Sequence, residues 1–255
     1  MRQMVVDLLF PARGESPPTD HAYPLYAALS EIDRFQKNVI TVENPVEYHI
    51  EGITQVQINP KAGLTFATGL RSMMRADPDI LMVGEIRDRE TAQIAIESAL
   101  TGHLVLSTLH TNDAPTAITR LIEMGIEPFL VASAIDCVVA QRLARTLCQH
   151  CKKRVILPAS ALKESGFHAT VDLEAYDALG CGRCGGSGYK GRVGLYEVML
   201  VSDAIRDLIL ERRSADEIMT TAVREGMRSL RDDGLEKVRI GRTSIAEVAR
   251  VTGSG

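Results

Sequence analysis

The chain has 255 residues, enough for one or two domains with a buried core, and its 45% hydrophobic and 24% charged residues are typical of a globular protein. Its formal net charge is −4, with acids and bases interspersed. This balance excludes the basic footprint of a nucleic-acid-binding protein, so we expect no nucleic-acid partner. The longest apolar stretch, residues 129–140, contains Asp136 and is shorter than the about 18 residues that a membrane span needs. Because the N-terminus also lacks a signal-peptide pattern, we expect a cytoplasmic protein.

The pattern of apolar residues predicts alternating strands and helices. Residues 1–24 contain four prolines and no periodicity, which indicates a loop. Three apolar runs have the length of buried strands and cover residues 39–42, 80–83 and 104–109, while an alternating run at 55–58 is typical of an edge strand. Helical spacing occurs at residues 25–35, 66–75, 91–100 and 114–123. This order predicts a parallel sheet covered by helices.

Acidic residues follow two of the predicted strands. Glu85 comes after the run at 80–83, and Glu43 and Glu47 follow the run at 39–42. Ligands bind at the carboxyl ends of strands in open α/β sheets. A carboxylate there can hold Mg²⁺ or orient the attacking water in phosphoryl transfer. A surface acid after a buried strand gives the same pattern, so each segment alone leaves a structural role open.

Two histidines bracket the third predicted strand. His103 precedes it, and His110 follows it at the strand end where Glu85 is also expected. There His110 can hydrogen-bond a phosphate or a catalytic carboxylate, although a lone histidine at a strand end is often structural. Arg71 and Arg75 are four residues apart, on one face of a predicted helix.

Four of the five cysteines form two Cys-x-x-Cys pairs separated by 29 residues. The pairs are Cys148 with Cys151 and Cys181 with Cys184. Without an export signal, this spacing favours a metal over disulfides. Four thiolates suit a closed, tetrahedral, structural Zn²⁺ site. A redox function is the less favoured alternative, because one pair suffices for it.

Together these segments resemble the secretion ATPases of type II secretion and type IV pilus assembly. The resemblance extends from about residue 25 to residue 252. Residues 41–47 are similar to the Asp box of that family, residues 84–88 to its Walker B segment, and residues 101–112 to its His box. The resemblance also includes residues 141–148 and 188–197, around the cysteines.

The resemblance implies an α/β fold with a RecA-like P-loop ATPase core, a tetracysteine zinc insert and a C-terminal helical subdomain. The implied boundaries are 1–24 for an unmatched N-terminal segment, 25–147 for the core, 148–197 for the insert and 198–255 for the helical subdomain.

The implied function is ATP hydrolysis by a hexameric ring that drives pilus or pseudopilus assembly, with ATP and Mg²⁺ as ligands. Such a ring would act at the cytoplasmic face of the inner membrane, through platform proteins of the machine. The resemblance implies that water and Mg²⁺ are bound by Glu85, Glu43 and Glu47. It implies contacts with phosphate or with another subunit for His103, His110, Arg71, Arg75, Arg120 and Arg142. The four paired cysteines would bind Zn²⁺.

The phosphate-binding loop departs from the family pattern. A GxxxxGK[ST] loop is expected directly before the first helix, but His21 and Ala22 occupy its Lys and Ser/Thr positions, and its glycines fall on Pro18 and Asp20. Asn44 also stands where the Asp box usually has Asp. The alternative function is therefore a non-catalytic fragment or degenerate subunit. The abrupt start of the match suggests a gene fragment or a frame error.

Overall fold

The computed structural model describes residues 3–8, 23–164, 166–167 and 170–253. The chain divides into two compact units. Unit 1 contains Met1–Ala140 and Val198–Met227, and unit 2 contains Gln141–Glu197 and Arg228–Gly255. The division into residues 1–24, 25–147, 148–197 and 198–255 expected from the sequence stays a prediction. His21, Ala22, Pro18 and Asp20, which occupy the expected phosphate loop, lie outside the described residues.

The secondary structure alternates as the sequence predicts. The strands are β1 (Gln3–Leu8), β2 (Val39–Glu43), β3 (Thr54–Gln57), β4 (Ile80–Val83), β5 (Leu104–Leu109), β6 (Ile135–Leu147), β7 (Lys152–Leu157), β8 (Leu173–Ala178) and β9 (Tyr189–Leu200). The helices are α1 (Tyr23–Glu31), α2 (Phe66–Met73), α3 (Arg89–Leu100), α4 (Ala114–Glu123), α5 (Pro128–Ala134), α6 (Ala159–Glu164), α7 (Asp203–Leu210), α8 (Ala215–Arg224), α9 (Leu230–Arg239) and α10 (Ile245–Thr252).

The main sheet has the strand order β3-β2-β4-β5-β1-β6-β9. All of these pairs are parallel: β1 with β5 and β6, β2 with β3 and β4, and β4 with β5. The predicted parallel sheet is therefore confirmed, with β3 at its edge. The expected loop is wrong for Gln3–Leu8, because this segment forms β1 between β5 and β6.

Burial on both faces explains the continuous apolar strands. All four residues of β4 are buried, as expected when helices cover a parallel sheet. One helix face and three strands share a core cluster, which contains Leu25 and Leu29 of α1 with Val39, Ile80, Met82 and Leu106. None of the described helices has the length and apolarity that a membrane span requires.

A buried ion-pair network links the strands and helices of unit 2. The Glu247 side chain, on α10, is only 1% exposed. It accepts hydrogen bonds from Arg145 of β6 through the backbone N and through Nε at 3.0 Å each, and Arg250 also pairs with it. Burial raises the pKa of Glu247, but Arg250 and Arg145 outweigh that effect and hold it at about 2.

Helices α9 and α10 pack closely at Gly234. A Cβ added there would lie 2.4 Å from Val248 Cγ1 and 3.3 Å from Leu195 Cδ1. The close approach of the two helices therefore requires glycine, although glycine in a helix costs about 1 kcal/mol relative to alanine.

We predict that Gly234→Ala lowers the free energy of unfolding by about 1–3 kcal/mol, because overpacking outweighs the gain in helix propensity. Urea denaturation followed by circular dichroism measures the change. Thr220→Ala is the matched control, since Thr220 is exposed on α8 and the substitution should be neutral or stabilising there. An unchanged or higher midpoint for Gly234→Ala would contradict the packing argument.

Candidate active site and metal centre

The turn after β4 holds Glu85 at the carboxyl edge of the sheet. The backbone N of Gly84 donates to the carbonyl of Val42 at 2.8 Å, and Thr108 Oγ1 donates to the carbonyl of Gly84 at 2.7 Å. The backbone N of Ile86 donates to the carbonyl of Thr108 at 2.9 Å. Both neighbouring strands therefore fix the backbone on either side of Glu85.

Glycine at position 84 permits this close fit. A Cβ there would lie 3.2 Å from the carbonyl oxygen of Val42 and 3.4 Å from Cα of Glu43. The first distance is shorter than most Cβ contacts and involves backbone, which cannot move alone. Glycine therefore brings the end of β2 close to the turn that carries Glu85.

Glu85 has two basic partners. Its Oε2 atom lies 2.5 Å from Arg87 Nε and 3.3 Å from His110 Nε2. The Glu85 side chain is 13% exposed, whereas half or more of each partner side chain is exposed. The structure thus brings Glu85 and His110 together at one strand end, beside solvent that a substrate could displace.

Glu43, at the end of β2, is buried among hydrogen-bond donors. Tyr26 Oη donates to its Oε2 and Thr41 Oγ1 donates to its Oε1. Gln55 Nε2 donates to Oε1 at 3.1 Å. The residue is only 3% exposed. Burial, followed by the contact with Glu43, raises the pKa of Tyr26 to about 12.

These contacts make Glu43 a link between elements. Its donors come from α1, β2 and β3, and the hydroxyl of Tyr26 also accepts the backbone N–H of Glu47 at 3.2 Å. Both carboxylate oxygens of Glu43 therefore already have protein donors, while the side chain of Glu47 is exposed. A role for either acid in supporting Mg²⁺ stays a prediction.

The four paired cysteines lie together in unit 2. All four Sγ atoms lie within 4.8 Å of one another. The closest separations are 4.0 Å for Cys148 and Cys181, 3.9 Å for Cys151 and Cys184, and 3.8 Å for Cys181 and Cys184. A Zn–S bond of about 2.3 Å gives a tetrahedron with edges of about 3.8 Å, so the cluster fits a tetrathiolate metal site.

Backbone N–H groups favour the thiolate form of one cysteine in this cluster, Cys184. The N–H groups of Cys181 and Gly188 each donate to Cys184 Sγ at 3.2 Å. Although burial raises the pKa of Cys184, these two hydrogen bonds help to bring it down to about 6. Burial raises the pKa of Cys151 to about 12, so a bound cation would be needed to hold it as a thiolate.

The chain matches the family described as Type II/IV secretion system protein over residues 21–250. The chain belongs to this family. It is 50% identical over 228 residues to the type II secretion system ATPase E of Vibrio cholerae, covering 89% of this chain and 45% of that protein. It is 52% identical over 229 residues to the type IV pilus assembly ATPase PilB of Thermus thermophilus, covering 89% and 26%. The chain thus spans less than half the length of either relative.

The crystal structure of the pilus retraction motor PilT with bound ADP has a similar fold. It aligns with a TM-score of 0.67 at 24% identity, covering 100% of this chain and 62% of that chain. The expected fold class, a RecA-like parallel sheet flanked by helices, is confirmed.

His103 and Arg71, two other predicted site residues, have contacts of their own. His103 precedes β5, at the opposite strand end from His110, and its Nδ1 lies 2.9 Å from the carbonyl of Ser98. In α2, Arg71 pairs with Glu90. The structure therefore does not bring His103 to the candidate active site, and a role in subunit contacts stays a prediction.

The remaining predicted arginines have local contacts. Arg75 Nη1 donates to the carbonyl of Arg71 at 3.3 Å, and Arg120 lies 3.4 Å from Glu123. Arg142 lies on β6, in unit 2. Contacts of these arginines with phosphate or with another subunit stay predictions.

Helix caps account for other polar residues at this edge. Asp88 accepts the backbone N–H of Thr91 at 2.8 Å and caps α3, and Asp113 accepts that of Thr116 at 2.8 Å and caps α4. Asp113 belongs to the polar cluster that follows β5, so part of that cluster is structural.

Four residues that shape the site are not predicted from the sequence. Thr41 lies two residues before Glu43, so the period of a strand could have placed both on one face. Arg87 lies two residues after Glu85. Tyr26 and Gln55 gave no signal, because their contacts with Glu43 span 17 and 12 positions.

We predict that Tyr26→Phe lowers the free energy of unfolding by about 1–3 kcal/mol at pH 7, because buried Glu43 loses a donor. Above pH 10 the wild type should lose stability more steeply than the variant. The unfolded tyrosine ionises near pH 10, whereas the folded one stays protonated up to about 12, so its contribution is complete below pH 10 and is lost above it.

Urea denaturation across this pH range measures both effects. Tyr48→Phe is the matched control, since Tyr48 is 40% exposed. Parallel stability curves for wild type and Tyr26→Phe above pH 10 would refute the role of this hydroxyl.

Proposed function

We propose that this chain belongs to a motor subunit of a type II secretion or type IV pilus-assembly machine, and that ATP is hydrolysed at the carboxyl edge of its main sheet. The observation that carries the proposal is the placement of Glu85, fixed after β4 and contacted by Arg87 and His110. Relatives about 50% identical are named as secretion and pilus-assembly ATPases.

Glu85 would orient the water that attacks the γ-phosphate and would accept its proton. It is held by its backbone and is mostly shielded, which suits a group that must be positioned before the reaction. Bound Mg²⁺ would supply charge stabilisation to the phosphate oxygens. His110 would steady the carboxylate of Glu85 and respond to the phosphate beside it.

Tyr26 and Glu43 would transmit the position of α1 to this edge. In the family, α1 follows the phosphate loop, and here its Tyr26 binds Glu43 at the end of β2. A shift of α1 would therefore move the end of β2, which contacts the turn before Glu85 through Gly84.

A non-catalytic subunit is the second candidate function. The observation that favours it is the sequence before α1, where His21, Ala22, Pro18 and Asp20 replace the groups of a phosphate loop. Each lost charge-assisted contact is worth about 1.5–3 kcal/mol, so several together would remove about four or more decades of rate. We therefore propose that a chain with this sequence hydrolyses ATP at no meaningful rate.

The wider context is also proposed from the family. The active form would be a hexameric ring, with its cysteine cluster holding one structural Zn²⁺. The ring would act at the cytoplasmic face of the inner membrane, bound to platform proteins of the secretion or pilus machine. The relatives named as ATPases of both machines support this context without separating the two.

We predict ATP hydrolysis near background for this chain and a gain of activity after a GxxxxGK[ST] loop is grafted before α1. Glu85→Gln in the grafted chain should abolish that gain, whereas Glu97→Gln, an exposed exchange on α3, should not. A phosphate-release assay measures these four proteins and the original chain with Glu85→Gln. Hydrolysis by the original chain that Glu85→Gln abolishes would show that the nucleotide site is complete by another route.

We predict one Zn²⁺ per chain, bound by Cys148, Cys151, Cys181 and Cys184. Elemental analysis of protein purified without added zinc measures the stoichiometry. Cys148→Ser should lower it and destabilise unit 2, because metal binding contributes folding energy. Cys137→Ser is the control and should retain the metal, since Cys137 lies outside the cluster. Folded protein with no metal would rule out the zinc assignment.

A further inference from the structure

The two units carry opposite net charge. Unit 2 has fifteen Lys and Arg against nine Asp and Glu, a net charge of +6. Unit 1 has fourteen against twenty-four, a net charge of −10. The overall value of −4 conceals this division, because it adds the opposite charges of the two units.

The positive charge of unit 2 is concentrated around its cysteine cluster. Residues 142–154 and 180–192, which contain the four cysteines, include eight Lys and Arg and no acid. A divalent metal with four thiolates would carry −2, which lowers the net charge of the unit to only +4. The basic residues therefore exceed what the metal site could neutralise.

Several basic residues of unit 2 already have partners. Arg145 and Arg250 pair with Glu247, and Arg154 pairs with Glu174. Within the part of the chain that the structure describes, the exposed Lys153 and Lys190 have no acidic partner within salt-bridge distance. Lys153 lies opposite Asp177 in the β7–β8 pair but forms no salt bridge with it, so both ammonium groups can contact a partner.

The backbone around the cluster holds these residues in place. Lys153 lies on β7, two residues after Cys151, and Lys190 lies on β9, two residues after Gly188. The amide of Gly188 binds Cys184 Sγ, and its carbonyl accepts the N–H of Cys148 at 2.9 Å. Both lysines thus extend from backbone tied to one rigid centre, which limits the entropy lost on binding. We call Lys153, Lys190 and the exposed Arg183, whose guanidinium contacts His150, the knuckle surface.

Unit 1 supplies acidic groups of the opposite charge. Among the described residues, Asp207 of α7 and Asp216 and Glu225, in and after α8, are exposed and have no basic partner within salt-bridge distance. Opposite charges on two units of the same chain favour association of copies from head to tail, since the basic unit of one copy attracts the acidic unit of the next.

We infer that the knuckle surface docks on the acidic unit 1 of a second copy of this chain. The inference specifies a contact within the oligomer proposed above. Its test needs no nucleotide, so its failure is distinguishable from failure of the proposed motor activity.

Sedimentation velocity at low and high salt tests the association. The wild type should self-associate at low salt and dissociate as salt rises, because screening weakens contacts between exposed charges. Lys153→Glu/Lys190→Glu should weaken the association constant about tenfold or more, and Lys153→Ala/Lys190→Ala should weaken it less. Lys61→Glu/Arg224→Glu makes the same change in net charge on exposed sites of unit 1, and it should leave association intact or strengthen it.

Carbodiimide cross-linking of a mixture of ¹⁴N- and ¹⁵N-labelled protein locates the contact. Links between copies should join Lys153 or Lys190 to carboxylates of unit 1. The inference is overturned by a monomer at both salts, by equal weakening in the two charge-reversal variants, or by links between copies that avoid these lysines. Binding to phosphatidylglycerol vesicles that the Lys153→Glu/Lys190→Glu exchange removes, with no association of copies, would assign the surface to a membrane instead.

Discussion

The hydrogen bonds that hold the backbone between β4 and α3 are the constraint on which the candidate active site depends. The end of β2 accepts the N–H of Gly84, and Thr108 of β5 binds the backbone on both sides of Glu85. This arrangement is possible because the three strands are parallel and in register, so their carboxyl ends meet at one edge. A carboxylate placed this way loses little freedom when a substrate binds.

The same edge links to its surroundings through Glu43. Tyr26, Thr41 and Gln55 hold the buried carboxylate of Glu43, whose Cα lies close to Gly84, so hydrogen bonds connect α1 and β3 to the strand end beside the turn that carries Glu85. Unit 2 has a different organisation. There the cysteine cluster fixes the turns between β6 and β7 and before β9, and the buried Glu247 joins β6 to α10. The contacts of Glu43 suit a site that must hold reacting groups in place. Those of the cysteines and Glu247 suit a rigid unit on which a partner can dock.

The sequence predicts much of the sheet, because β2, β4 and β5 are continuous apolar runs buried on both faces. It predicts that Glu85 and His110 meet, since strand ends are readable from such runs. It misses β1, a short run close to prolines, and it misses the donors to Glu43, because contacts between distant positions leave no local pattern. The basic stretches around the cysteines can be read along the chain, but the assignment of each charge to a unit cannot, since each unit combines two separate parts of the chain. The folded arrangement gives net charges of +6 and −10.

Glu85 and its neighbours are therefore held in place at the proposed active site, whereas nucleotide affinity would depend on the segment before α1. Calorimetric titration of Mg·ATP into this chain and into a chain with a restored phosphate loop tests this claim most directly. The account predicts no binding heat for the original chain up to about 1 mM nucleotide and saturable binding for the restored chain. Micromolar binding by the original chain, or none by a folded restored chain, would contradict it.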